Sequence, residues 1–162
     1  MLRAAWGPDD QTLSSAALRS LAAGLPACVS VDLSGLDDAC VLPPCRGRIV
    51  LNLLLLAADS MPAGGTVMLA GSADDLFVRI DGPAAAWPTA MAVCMVNEAA
   101  AHAAISAGKA AQMPLTALLA HAAGVRLSVL MSPAAHTPSA HTPSAHTPSA
   151  HTPASIVRLG GG

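Results

Sequence analysis

Aromatic residues are nearly missing from this sequence: Phe77, Trp6 and Trp87 are the whole set, and there is no tyrosine. A core must therefore be assembled from Ala, Leu, Val, Ile and Met, which bury apolar area in small increments. Charge is scarce as well. Asp, Glu, Lys and Arg make up 11% of the chain and leave a net charge of −2, which gives no broad attraction for nucleic acid or an acidic membrane. No apolar run approaches the ~20 residues that a spanning helix needs. The best stretch, Ile49 to Ala58, contains Asn52 and is closed by Asp59 and Pro62, which suits a helix buried in a globular core. Arg3 is soon followed by Asp9 and Asp10, so no secretory apolar segment follows it, and a cytoplasmic location is expected. None of the four cysteines, Cys28, Cys40, Cys45 and Cys94, forms a CxxC pair, and no nearby histidine completes a zinc pattern. Free, buried thiols and no bound metal are expected.

What is present is apolar material, 53% of 162 residues, enough for one domain of the usual ~100–200 residues. Leu2 to Trp6 reads as the last turn of a helix, stopped by Gly7-Pro8. Apolar spacing predicts helices at Thr12–Ala23, Arg46–Ser60 and Leu115–Ala123, and the Ala-rich stretch from Trp87 to Lys109 is also helical in character. Strands are predicted at Cys28–Leu33, Thr66–Ala70, Leu76–Asp81 and Val125–Met131, with hairpin chemistry over Gly71–Asp75. This order implies helices on one face of a mixed or antiparallel sheet, an α+β two-layer sandwich.

Four pentads of the form Ala-His-Thr-Pro-Ser occupy Ala135 to Ala154, the last one ending in Ala. A period of five matches no solenoid, and a unit without a large apolar side chain has nothing to bury. A disordered insert over residues 134–154 is expected. Ser155 to Leu159 alternates again and is expected to pair with Leu127–Met131 as a final strand, leaving 160–162 as a tail. The repeat histidines could hold a soft metal weakly, but without fixed geometry a plain spacer is the better reading.

The most informative stretch is Val50 to Val67, reading VLNLLLLAADSMPAGGTV. It resembles the N box of sensor histidine kinases, a helix leading through a Pro-Gly turn into a strand. Phe77 to Pro83 resembles an eroded form of the strand and glycine loop that surround adenine in those kinases, and Leu115 to Val129 is similar to their last helix and strand. The fold implied is the histidine-kinase catalytic, ATP-binding (Bergerat-type) sandwich over residues 8–133 and 155–159. Departures from the kinase pattern bear on function. Counting from Asn52, the place of the second, magnesium-ligating Asn is held by Leu56, which offers no oxygen donor. Asp59 stands where kinases often carry Lys, and a carboxylate there repels polyphosphate. The loop at Asp81-Gly82 has no second glycine nearby, and only Gly108 precedes the last helix where a phosphate loop would lie.

A kinase-like domain with such a degenerate pocket is what the ChpT-type histidine phosphotransferases carry, and Val50 to Val67 closely resembles their core segment. Leu2 to Gly7 also looks like that family's link from a helical hairpin, so residues 1–7 are expected to be the end of that hairpin. The resemblance implies a phosphorelay role, with a response-regulator receiver domain as partner, no cofactor, no nucleic acid and no membrane. Family members are homodimers through the hairpin, and this chain is expected to be a monomer. The family's phospho-accepting His lies in a His-Asp-Leu motif. Outside the repeat only His102 and His121 occur, and neither is followed by Asp-Leu, so no catalytic residue is assigned. A divergent magnesium-dependent ATP-binding domain of a sensor histidine kinase is the alternative. The residues alone also allow a plainer account: Asn52 as a buried or capping polar group, Leu53–Leu56 as core, and Asp59 and Asp81 as solvated ends of elements.

Overall fold

The computed structural model describes residues 1–7, 11–108, 110–131 and 155–160. Its centre is α3 (Pro44–Asp59), which is buried almost all round, as a helix rich in Val, Ile and Leu on every side has to be. The helix starts two residues before its sequence-predicted start. Pro44 occupies the first turn, where a missing N–H costs nothing and the fixed φ is already helical.

Around α3 stands a five-stranded sheet in the order β2-β4-β5-β7-β6. Its strands are β2 (Val29–Leu36), β4 (Gly65–Gly71), β5 (Leu76–Asp81), β6 (Arg126–Met131) and β7 (Ser155–Gly160). β2 and β4 are parallel and α3 lies between them in sequence; every other pairing is antiparallel. Register sorts the side chains into two faces. Val67 lies opposite Ile80, Leu69 opposite Val78, Val78 opposite Val157 and Leu127 opposite Leu159, and all of these are buried. The alternate row across the sheet, Asp32, Met68, Arg79, Ile156 and Leu130, is half-buried or exposed. One covered face and one open face make two layers, the α+β arrangement expected.

The expected last strand is present, and it pairs with β5 as well as β6, so it is an inner strand. It runs through Gly160, which lies opposite Arg126. The pentads and residues 161–162 lie outside the described residues.

On the covered face, α4 (Met91–Val96), α5 (Glu98–Ser106) and α6 (Gln112–Ala122) pack on one another, with α4 against β6 and α6 on α3. The Ala-rich stretch is therefore two helices. Asn97 leaves helical conformation at φ −134° and ψ 105°, and its side-chain oxygen accepts the Ala100 N–H at 3.1 Å, capping the second helix. Toward the N-terminus, α1 (Leu2–Trp6) lies on α3. A two-residue ladder joins β1 (Leu13–Ser14) to β3 (Val41–Leu42) ahead of α2 (Ser15–Ala22). The Ser14 hydroxyl accepts the Ala17 N–H and starts α2 three residues later than the apolar spacing predicts. No helix among the described residues is long and apolar enough to cross a membrane.

Candidate functional site

Asn52, Leu56 and Asp59 are spaced i, i+4 and i+7, so one stripe of α3 carries all three. That stripe is mostly closed to solvent. Asn52 is 0% exposed and Leu56 3% exposed; Asp59, the last residue of the helix, is exposed. The covering elements include α1, whose Ala5 is buried, and the first turn of α6.

Burial of Asn52 requires partners for its amide, since an unpaired buried amide costs roughly 1–3 kcal/mol. Its Nδ2 donates to the Ala5 carbonyl at 3.0 Å and to the Arg48 carbonyl at 2.9 Å. Its Oδ1 accepts from Gln112 Nε2 at 2.8 Å, and the same Gln112 nitrogen reaches the Asn52 carbonyl at 3.2 Å. Both donors and the oxygen of the amide are thus occupied by protein groups. One turn earlier, Arg48 Nη2 donates to the Gly7 carbonyl. Beside this stripe lies an open groove of about 480 Å3, with Leu2, Arg3, Leu25, Leu55, Asp59 and Gln112 among its walls.

Asp81 and Gly82 follow at the end of β5. Asp81 is exposed and stands 3.8 Å from the Arg79 guanidinium. Gly82 is pressed against the turn after α3: a Cβ there would sit 2.5 Å from the Gly64 carbonyl oxygen and 3.0 Å from the Gly65 Cα. The loop is fastened a second time by the Ala86 N–H, which donates to the Ser60 carbonyl at 3.1 Å. The structure therefore brings this loop to the C-terminal end of α3, where close backbone approach accounts for the glycine.

The two histidines outside the repeat lie apart from this region's hydrogen bonds. His121 is half-buried, its Nε2 hydrogen-bonded with the Cys94 carbonyl at 2.9 Å. His102 is exposed, 3.8 Å from the Glu98 carboxylate. All four cysteines are free, as expected, but only Cys40 and Cys94 are buried; Cys28 and Cys45 are exposed, because they sit at a strand entrance and on the first turn of α3. Burial, with Asp37 as a second cause, pushes the Cys40 thiol up and disfavours its thiolate. Among the described residues no group of three or more His, Cys, Asp or Glu side chains is placed to hold a metal ion.

Sequence reasoning does not find Arg48 and Gln112. Arg48 stands one turn before Asn52 and could have been noticed from that spacing. Gln112 is 60 positions away and carries no local signal.

The fold has a solved counterpart. A bacterial phosphotransferase determined at 1.7 Å superposes with a TM-score of 0.57 at 17% identity, covering 97% of this chain and 68% of that one. A comparison with the curated proteins finds no match. The sequence narrows the class further. The histidine phosphotransferase C-terminal domain family matches residues 29–135, about two thirds of the chain. The chain belongs to that family, the C-terminal domain of the ChpT-type histidine phosphotransferases, whose place is in phosphorelay signalling.

Proposed function

We propose that this chain is a docking module of a phosphorelay, which presents a surface to a response-regulator receiver domain while binding no ATP and supplying no phospho-accepting histidine. In this reading the sandwich is a histidine-kinase ATPase (Bergerat-type) fold with a degenerate pocket, and Asn52, Leu56, Asp59, Asp81 and Gly82 are what remains of it. The observation that carries the reading is the closed stripe of α3. A magnesium-bridged nucleotide needs oxygen donors open to solvent on that stripe. Here Asn52 is saturated by Ala5, Arg48 and Gln112, and Leu56 is buried carbon. The exposed Asp59 would repel the phosphates of any nucleotide that approached the groove beside it. Loss of nucleotide chemistry within a phosphotransferase family leaves partner recognition as the role that the folded surface can serve.

The test is calorimetric titration of the purified chain, first with ATP and ADP in magnesium, then with a panel of purified receiver domains. Silence at millimolar nucleotide together with saturable binding of a receiver is expected. Magnesium-dependent nucleotide binding that is lost in Asn52→Ala would replace the proposal with a divergent kinase ATPase. Silence toward every receiver in a broad panel would remove the docking role.

A further inference from the structure

The bonds at Asn52 do more than close a pocket. They cross from the matched family core to a segment outside it, since the family match begins at residue 29 and α1 spans Leu2–Trp6. α1 has little hydrophobic purchase of its own. Only Ala5 is fully buried, while Leu2 is 65% and Trp6 41% exposed. Five residues are also too few for a helix to persist unaided in water. Its C-terminal carbonyls are orphaned by the helix ending, and two of them are received by side chains of α3: Ala5 by Asn52 Nδ2 and Gly7 by Arg48 Nη2. Gln112 at the head of α6 holds the Asn52 amide in the orientation that aims Nδ2 at Ala5. The Arg48 guanidinium keeps its place although its buried Nε has no partner. Contact with Gly7 offsets part of that desolvation cost.

We propose that Asn52, oriented by Gln112 and seconded by Arg48, is a latch that fixes α1 to the domain. The first Asn of the kinase-like pattern here serves as a joint between α3, α6 and α1. The latch stands on the geometry alone and is read with neither nucleotide nor receiver present, so its failure is distinguishable from failure of the docking role.

Native-state hydrogen exchange by NMR tests it on the full chain. The Ala4, Ala5 and Gly7 amides, bonded to the Met1 and Arg3 carbonyls, report α1; the Val67 and Leu69 amides of β4 report the sheet. Asn52→Leu removes both donors, one of which ties α1, and α1 exchange is expected to speed by roughly 5- to 30-fold relative to β4 exchange, the factor that about 1–2 kcal/mol for an unpaired buried Ala5 carbonyl produces. Gln112→Met is expected to move α1 in the same direction by a smaller factor, because the amide then loses its orienting partner. Should Asn52→Leu fail to fold, Arg48→Met decides the matter, since it cuts only the tie to Gly7. If the α1 amides move no more than the β4 amides in Arg48→Met, or in a folded Asn52→Leu, there is no latch.

Discussion

Leu56→Asn places an amide oxygen where the kinase pattern carries its magnesium ligand, and the structure says what that costs. Leu56 is 3% exposed on a helix that is buried almost all round, so nearly the whole side chain contributes to the core. Exchanging it for an amide loses about 2 kcal/mol of apolar burial. The new amide has no partner prepared for it, because the nearby polar groups Asn52 and Gln112 are already bonded to each other, which adds roughly 1–3 kcal/mol. A loss of about 3–5 kcal/mol is therefore expected. For a chain of this size that lowers the melting temperature by roughly 6–20 °C. Urea denaturation at constant slope, followed by circular dichroism, measures it. Asp59→Lys is the companion substitution. It places a cation at an exposed helix end and is expected to change stability by less than about 0.5 kcal/mol. The pair together should still bind no magnesium nucleotide. The reasoning is refuted if Leu56→Asn is within about 1 kcal/mol of the parent, or if either variant gains nucleotide binding, since both results would mean that the stripe opens easily.

Gly82→Ala is expected to cost about 1–3 kcal/mol in the same assay: its Cβ would collide with the backbone of Gly64 and Gly65, and neither can rotate aside. A neutral result would show slack between the two turns. On the open face of the sheet, Arg158 makes a two-point contact with Asp75 at 2.7 and 3.0 Å and holds that carboxyl below its ordinary value of 3.8. A depressed folded value means that the stabilisation is present above the unfolded value and is lost as pH falls through the folded one. Asp75→Asn should thus flatten the acid limb of the stability profile below about pH 4 while changing little at neutral pH, where an exposed pair contributes modestly. An unchanged acid limb in urea melts from pH 2 to 5 would show that the contact does not persist in solution.

Local chemistry explains which parts of the fold were legible in the sequence. α3 shows itself because its apolar residues cannot be placed on one side only, and the β4–β5 hairpin because Gly71 to Asp75 supplies turn residues between two alternating runs. The final strand could be read from Ser155 to Leu159 even across the pentads, since alternation is local too. Its insertion between β5 and β6 could not, because neighbour order depends on contacts over the whole chain. The Ala-rich stretch hid its break for a different reason. Alanine favours helix everywhere and offers no contrast, so the stop depends on the single capping side chain of Asn97. At the candidate site the positions were legible but the partners were not. Asn52 meets Ala5 at a separation of 47 residues and Gln112 at 60, distances over which a sequence pattern carries no register.

Those partners change what the resemblance at Asn52 means. Here the amide is bonded to internal partners, and the leucine at position 56 makes the rest of the stripe part of the core. Once a buried amide has both donors and its oxygen satisfied, removing any partner leaves an unpaired group with a cost of its own. Reopening the stripe would then have to break bonds to α1 and α6 together. The closure and the anchoring of α1 are thus one arrangement, and any variant that opens the stripe should also free α1.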